Sequence, residues 1–170
     1  MKIIVTGGLG HIGSNLIRDL SEEFNQAKIL IIDNLMTQRY CSLFNLENKE
    51  KYSFIKADVI RDNLDCYFRD TDYVVHLAAI TDASYSFKNP QEVEINNYEA
   101  TKNVTNYCSK YGCKFITLSS TSVYGTNNKF VDENSKNSDL NPQSPYAKTK
   151  LKEESYVLEH FKNENLKGTI

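Results

Sequence analysis

The sequence has no excess of positive charge: 20 Lys and Arg stand against 22 Asp and Glu, a net charge of −2. A protein held on nucleic acid by bulk electrostatics needs a basic surplus to neutralise phosphates, so no nucleic-acid partner is expected. Long apolar runs are also missing. None exceeds the four residues of Ile29–Ile32, whereas a membrane-spanning helix needs about 20. The first strand-like segment already begins at Lys2, so no secretory leader is expected, and the expected setting is cytoplasmic. Cysteine is scarce and not paired in spacing. Cys41, Cys66, Cys108 and Cys113 form no C-x-x-C motif, which predicts reduced thiols and no metal site. Prolines number only three and glycines seven, and no linker, repeat or low-complexity tract divides the chain. What remains is ordinary globular composition, 25% charged and 40% hydrophobic, in 170 residues. That length fits one domain.

What repeats is strand followed by helix. Lys2–Thr6 is a β-branched run, and a glycine cluster leads from it into a helical pattern through Phe24. Lys28–Ile32 reads as a second buried strand ending at Asp33, with Tyr52–Ala57 and Asp72–Leu77 as the third and fourth. Pro90 opens a long helix with Val93, Asn97, Ala100, Thr101, Val104 and Cys108 along one face, and Gly112 stops it. Lys114–Ser119 is the fifth strand. Pro145 begins another helix with Ala147, Leu151, Leu158 and Phe161 at helical spacing, and Lys167–Ile170 reads as a new strand. This alternation predicts an α/β fold, a doubly wound parallel sheet with helices on both faces. Ligands of such sheets sit at the carboxyl ends of strands, near the switch in strand order.

The cluster Thr6-Gly-Gly-Leu-Gly-His-Ile-Gly13 parses in two ways. Gly8, Gly10 and Gly13 fit G-x-G-x-x-G; Gly7, Gly10 and Gly13 fit G-x-x-G-x-x-G. Either set permits a tight turn, close approach of backbone to a pyrophosphate, and close helix–strand packing. The helix N-terminus beyond it offers free N–H groups and a positive dipole end. Asp33 stands twenty residues after Gly13, at the end of strand two. A carboxylate there accepts hydrogen bonds from ribose hydroxyls and repels a 2′-phosphate, which favours NAD over NADP. Arg39 is the residue that keeps NADP open.

Tyr146 and Lys150 lie four apart on one predicted helix and share a face. A tyrosine is a poor base at neutral pH, and a neighbouring ammonium favours its phenolate form. Ser120, expected at the end of strand five, adds a hydroxyl facing the same crevice. Asn97 is an amide on an apolar helical face and needs a buried partner. His76 is expected as a packed, hydrogen-bonded histidine, and Lys152-Glu-Glu154 as a solvated helix face.

Thr6–Gly13, Asp33-Asn34-Leu35, Asp58-Val59, His76-Leu-Ala-Ala79, Ser119-Ser-Thr-Ser-Val-Tyr-Gly125 and Ser144-Pro-Tyr-Ala-Lys-Thr-Lys150 occur together and in this order. As a set they resemble the extended short-chain dehydrogenase/reductases, in the NAD-dependent epimerase/dehydratase branch that acts on nucleotide sugars. The resemblance implies a Rossmann fold and the following roles. Tyr146 is the general acid/base, Lys150 holds the nicotinamide ribose, and Ser120 binds the reacting sugar hydroxyl, with Ser122 beside it in the substrate site. Gly7, Gly10 and Gly13 form the cofactor turn, and His11 and Ile12 offer N–H groups to the pyrophosphate. Asp33 and Asn34 take the adenosine ribose, Asp58 and Val59 the adenine. Leu77, Ala78 and Ala79 line the cofactor, with Asn97 near it. The polar stretch Asn127–Asn141 borders the sugar site in the family.

Dehydratase-like relatives carry an Asp-Glu pair after the strand-five hydroxyl, where this chain has Thr121-Ser122. A hydroxyl is a poor substitute for a carboxylate as an elimination base. The expectation is therefore UDP-hexose 4-epimerisation, with a dehydratase or another carbonyl reductase as the alternative within the family. A non-catalytic NAD-binding module is the alternative outside it. Relatives are about twice as long, so residues 1–170 are expected to be the cofactor-binding half, ending at the start of strand six without the substrate domain. Alone, that half is expected to bind NAD weakly and to lack activity. The helices Pro90–Tyr111 and Pro145–Phe161 are expected to pair in a homodimer, with Val104, Tyr107 and Leu158 supplying apolar area.

Overall fold

The computed structural model describes residues 1–126, 131–133, 135 and 137–170. Six strands form one sheet, every pairing parallel: β1 (Lys2–Thr6), β2 (Lys28–Asp33), β3 (Tyr52–Lys56), β4 (Tyr73–His76), β5 (Lys114–Thr117) and β6 (Lys167–Thr169). Their order is β3-β2-β1-β4-β5-β6. The helices are α1 (His11–Glu23), α2 (Asp65–Phe68), α3 (Ala83–Lys88), α4 (Pro90–Tyr111) and α5 (Pro145–Lys162). This is a doubly wound Rossmann sheet. The chain runs outward from β1 to β3, then returns to add β4 on the other side, which opens a crevice above the carboxyl ends of β1 and β4.

The central strands are continuous apolar runs because both of their faces are covered. Side chains alternate between two cores. Ile4, Ile32, Val74 and Phe115 meet Val104 and Val157 on the α4/α5 side. Ile3, Val5, Ile29 and Ile31 meet Ile17 on the α1 side. Register is thereby fixed, since a slip by one residue would exchange the two sets.

The helix ends follow from local chemistry. Pro90 and Pro145 occupy first-turn positions, where a missing N–H is harmless. The Ser144 hydroxyl accepts the Ala147 N–H at 3.1 Å and caps α5. Gly112, at φ 70°, ends α4, its N–H returning to the Cys108 carbonyl.

Three expectations need correction. The fifth strand stops at Thr117, and Ser120 instead caps a short 3₁₀ turn, Thr121–Val123. The buried face of α5 is Ala147, Thr149, Lys150, Glu153 and Val157, so of the four apolar positions at helical spacing Ala147 is buried and Phe161 packs on the core, while Leu151 and Leu158 lie off that face. Val104 and Tyr107 face inward: Val104 is in the core, and the Tyr107 ring stacks on Phe68 at 4.8 Å while its hydroxyl accepts the Leu64 N–H. Among the described residues, no helix is long and apolar enough to cross a membrane.

Candidate active site

The glycine turn sits where β1 emerges into the crevice. Gly7 has φ 66°, and a Cβ there would lie 2.6 Å from the Ala78 nitrogen; one on Gly13 would lie 2.6 Å from the Gly7 carbonyl oxygen. Those are backbone contacts that nothing can relieve. A Cβ on Gly8 would meet mainly the Ile31 side chain, so the structure favours the parse through Gly7, Gly10 and Gly13. Gly10 is the N-cap of α1, with no side-chain cap and no acid in the first turn. The first N–H groups of α1, including those of His11 and Ile12, have no carbonyl within the helix to bond. They leave a concave, donor-rich site suited to a diphosphate.

A groove runs from this turn in both directions. One lobe is bordered by Gly7, Gly10, Asp33, Asn34, Asp58, Val59, Leu77, Ala78 and Ala79. The other shares Gly7, Gly10, Leu77, Ala78 and Ala79 and adds His11, Ile12, Gly13, Ser119, Tyr146 and Lys150. Segments distant in sequence are thus gathered on one continuous surface.

Asp33 does more than face the first lobe. Its Oδ2 accepts the Leu9 N–H at 3.2 Å and its Oδ1 the Leu35 N–H at 2.8 Å, tying the glycine turn to the turn after β2. Each carboxylate oxygen keeps a lone pair for a ribose hydroxyl. Asp58 is held similarly: its Oδ1 accepts the Ile60 N–H at 2.9 Å, and its Oδ2 the Asn34 amide at 3.4 Å. Arg39 borders the second lobe, near Gly10 and His11, and is absent from the lobe that Asp33 borders.

Tyr146 and Lys150 border the second lobe from α5, whose start is fixed by the Tyr146 N–H donating to Ser86 Oγ at 3.2 Å. Ser120 and Ser122 lie outside the groove lining. Their hydroxyls pair at 2.8 Å, and Ser120 Oγ also accepts the Ser122 N–H at 3.3 Å. Asn97 is likewise not a lining residue. It is fully buried, and its amide both accepts the Ile80 N–H at 2.7 Å and donates to the Ile80 carbonyl at 2.9 Å. It holds the loop after β4, while its neighbour Asn96 and Ala100 reach the first lobe. Part of Asn127–Asn141 (127–130, 134 and 136) lies outside the described residues.

Sequence reasoning missed what lies beneath Lys150. Its ammonium donates to Glu153 Oε2 at 2.9 Å, and both side chains are buried. Thr101 Oγ1 donates to the same oxygen at 2.9 Å, lies 3.3 Å from His76 Nε2, and His76 Nδ1 is 2.7 Å from Thr6 Oγ1. Burial, with the Lys150 charge adding, pushes the His76 imidazole down to about 3, so the ring is neutral. His76 is packed and hydrogen-bonded as expected. The supposedly solvated stretch Lys152–Glu154 is not solvated throughout, because Glu153 points inward and Glu154 accepts the Ser119 hydroxyl at 2.8 Å. Glu153 was findable, since an acid at i+3 from a lysine shares its helical face.

The residues present fit a dinucleotide. The turn would be filled by a Cβ, the helix N-terminus carries no capping side chain, and two carboxylates, Asp33 and Asp58, line the first lobe. Comparison with known proteins agrees. The chain is 32% identical to a dTDP-D-glucose 4,6-dehydratase of Dictyostelium discoideum, over 95% of this chain and 41% of that one. Among solved structures, it matches a UDP-N-acetylglucosamine 4-epimerase from Methanobrevibacter ruminantium at 34% identity and TM-score 0.88, covering 98% of this chain and 52% of that one. A UDP-glucuronic acid 4-epimerase from Bacillus cereus, solved with UDP-glucuronic acid and NAD, matches at 32% identity and TM-score 0.89, over 99% and 55%. The chain thus spans about half the length of these relatives. The NAD dependent epimerase/dehydratase family model covers residues 3–170; with the glycine turn, the acid after β2 and the Tyr–Lys pair now on one groove, the chain belongs to that NAD-dependent family.

Proposed function

We propose that this chain is the cofactor-binding part of a UDP-sugar 4-epimerase. The observation that carries the reading is the continuity of the groove from Asp33 past the glycine turn to Tyr146 and Lys150. NAD bound there supplies a hydride acceptor that later returns the hydride. Gly7–Gly13 and the α1 N-terminus take the diphosphate, Asp33 and Asn34 the adenosine ribose, Asp58 and Val59 the adenine. Tyr146 would take the proton from the reacting sugar hydroxyl and would return it to the same oxygen. Lys150 holds the ribose near Tyr146, and the Ser120–Ser122 hydroxyl pair receives the reacting oxygen.

Thr121-Ser122 after β5 supports epimerisation over dehydration, because neither hydroxyl serves as an elimination base. The Dictyostelium dehydratase relative supports dehydration as the second reading. The Tyr146–Lys150 pair, both members lining one groove, supports catalysis over a purely cofactor-sensing module. A homodimer through α4 and α5 would use the outward side chains Ile95 and Leu158, in place of the inward Val104 and Tyr107.

The test uses the complete gene product, whatever its length, with UDP-hexoses and product analysis. Tyr146→Phe keeps the ring but removes the proton carrier, so epimerisation is abolished while NAD stays bound. Near-normal turnover by that variant would overturn the assignment.

A further inference from the structure

A buried ion pair adjoins the groove without lining it on both sides. Lys150 is 7% exposed and Glu153 5% exposed. Such a pair is a weak stabiliser, because desolvation of both charges offsets their attraction. Glu153 is not even fully satisfied: its Oε1 is buried without a hydrogen-bond partner. Stability alone does not account for it.

The hydrogen-bond directions are determined by counting donors. A hydroxyl has one proton to give. Thr101 gives its proton to the Glu153 carboxylate, which can only accept, so Thr101 must accept from His76 Nε2–H. The ring is neutral, so Nδ1 carries no proton and accepts from the Thr6 hydroxyl. One polar chain therefore runs from Thr6, the residue before Gly7, through His76, Thr101 and Glu153 to Lys150. It ties β1, β4, α4 and α5 together at the crevice.

We infer that Glu153 is the positioning residue of Lys150: it anchors the ammonium in register with the glycine turn and leaves two N–H groups free for the cofactor. The inference rests on the reading above, in which Lys150 touches the nicotinamide ribose. An ammonium has three donors, and Glu153 takes one. The aliphatic stem of Lys150 is fixed by burial, so its head is presented in one place and not swept through the groove.

The experiment has two readouts on the 170-residue chain. Nitrogen-15 NMR of the His76 side chain at neutral pH reports its tautomer, and calorimetry reports NAD⁺ affinity for wild type, Glu153→Ala, Lys150→Met and the double variant. We expect the Nε2–H tautomer in wild type. Glu153→Ala should weaken NAD⁺ binding about fivefold, as loss of one positioned hydrogen bond does, and should have no further effect once Lys150 is methionine. Where Glu153→Ala does not fold, Glu153→Gln replaces it, with a smaller loss of about twofold, because the amide oxygen still accepts from the ammonium but carries no charge of its own. An Nδ1–H tautomer in wild type, unchanged affinity in the Glu153 variant, or additive losses in the double variant would overturn the inference. If Lys150→Met itself binds NAD⁺ as wild type does, the assignment of Lys150 to the cofactor falls, and this inference with it. A loss with Lys150→Met and none with Glu153→Ala removes this inference alone.

Discussion

Lowering the pH from 7 to 5 should destabilise this fold through one side chain. His76 is buried between β4 and α4 with its imidazole held down to about 3, first by desolvation and then by the Lys150 charge. In the unfolded chain it titrates near 6.5. Its folded value is therefore the lower one, and its contribution is fully present above 6.5 and lost as pH falls towards 3. At pH 5 the unfolded histidine is almost wholly protonated and the folded one is not. The difference between pH 7 and pH 5 is about 2 kcal/mol, within a full window of about 4–5 kcal/mol. Asp65, whose carboxyl Lys110 and Tyr111 hold below its usual value, loses its contribution only below that range. Urea unfolding followed by far-ultraviolet circular dichroism, at both pH values, measures the loss. His76→Gln removes the titrating ring, so the variant should show almost none of this pH-dependent loss whatever its baseline stability. Equal losses in wild type and variant would refute the buried, neutral His76.

Other outcomes follow from the same geometry. Gly7→Ala should cost about 2–4 kcal/mol in urea unfolding, because it combines a left-handed backbone with a 2.6 Å clash against Ala78. Gly112→Ala, left-handed but with nothing within 4 Å, should cost only about 1 kcal/mol. Asp33→Ala should raise the ratio of NADP⁺ to NAD⁺ affinity about tenfold in calorimetric titrations, by removing a like charge from the 2′-phosphate position; an unchanged ratio would place the discrimination elsewhere. Ile95→Glu with Leu158→Glu should convert a dimer to monomer in light scattering, since both side chains are exposed on the outer faces of α4 and α5.

The sheet was legible because its central strands are apolar runs with few competing readings, and α4 because proline and glycine bracket it. Expected boundaries of Tyr73–His76 and Lys114–Thr117 erred outward by one or two residues. Leu118 and Ser119 have side chains that still suit a strand, but β5 ends at Thr117; Leu77 lies just past the end of β4, although its N–H still bonds the Thr6 carbonyl at 3.0 Å. The glycine turn was legible in outline, but the choice of Gly7 over Gly8 depends on Ala78, which lies across the crevice. The face of α5 was legible only in part: Ala147 is buried and Phe161 packs on the core, as their spacing suggested. Leu151 and Leu158 suggested an apolar stripe, whereas the inward face carries Lys150 and Glu153, which only their partners on α4 and β4 explain. Periodicity ranks faces by apolarity, and a helix that brings polar groups to a site inverts that ranking. Asn97 shows the same limit: the sequence marks it as needing a partner, but only the fold shows that the partner is the Ile80 backbone.

If one groove serves one ligand, an NMR titration of the isotopically labelled chain with NAD⁺ shows it most directly. The amides of Gly10–Gly13, of Asn34 and Leu35, of Val59, and of Tyr146–Lys150 should shift together, along a single isotherm, while NADP⁺ at equal concentration moves them less. No shifts up to about 1 mM NAD⁺, the weak end of specific binding, or shifts confined to residues away from the groove, would contradict it.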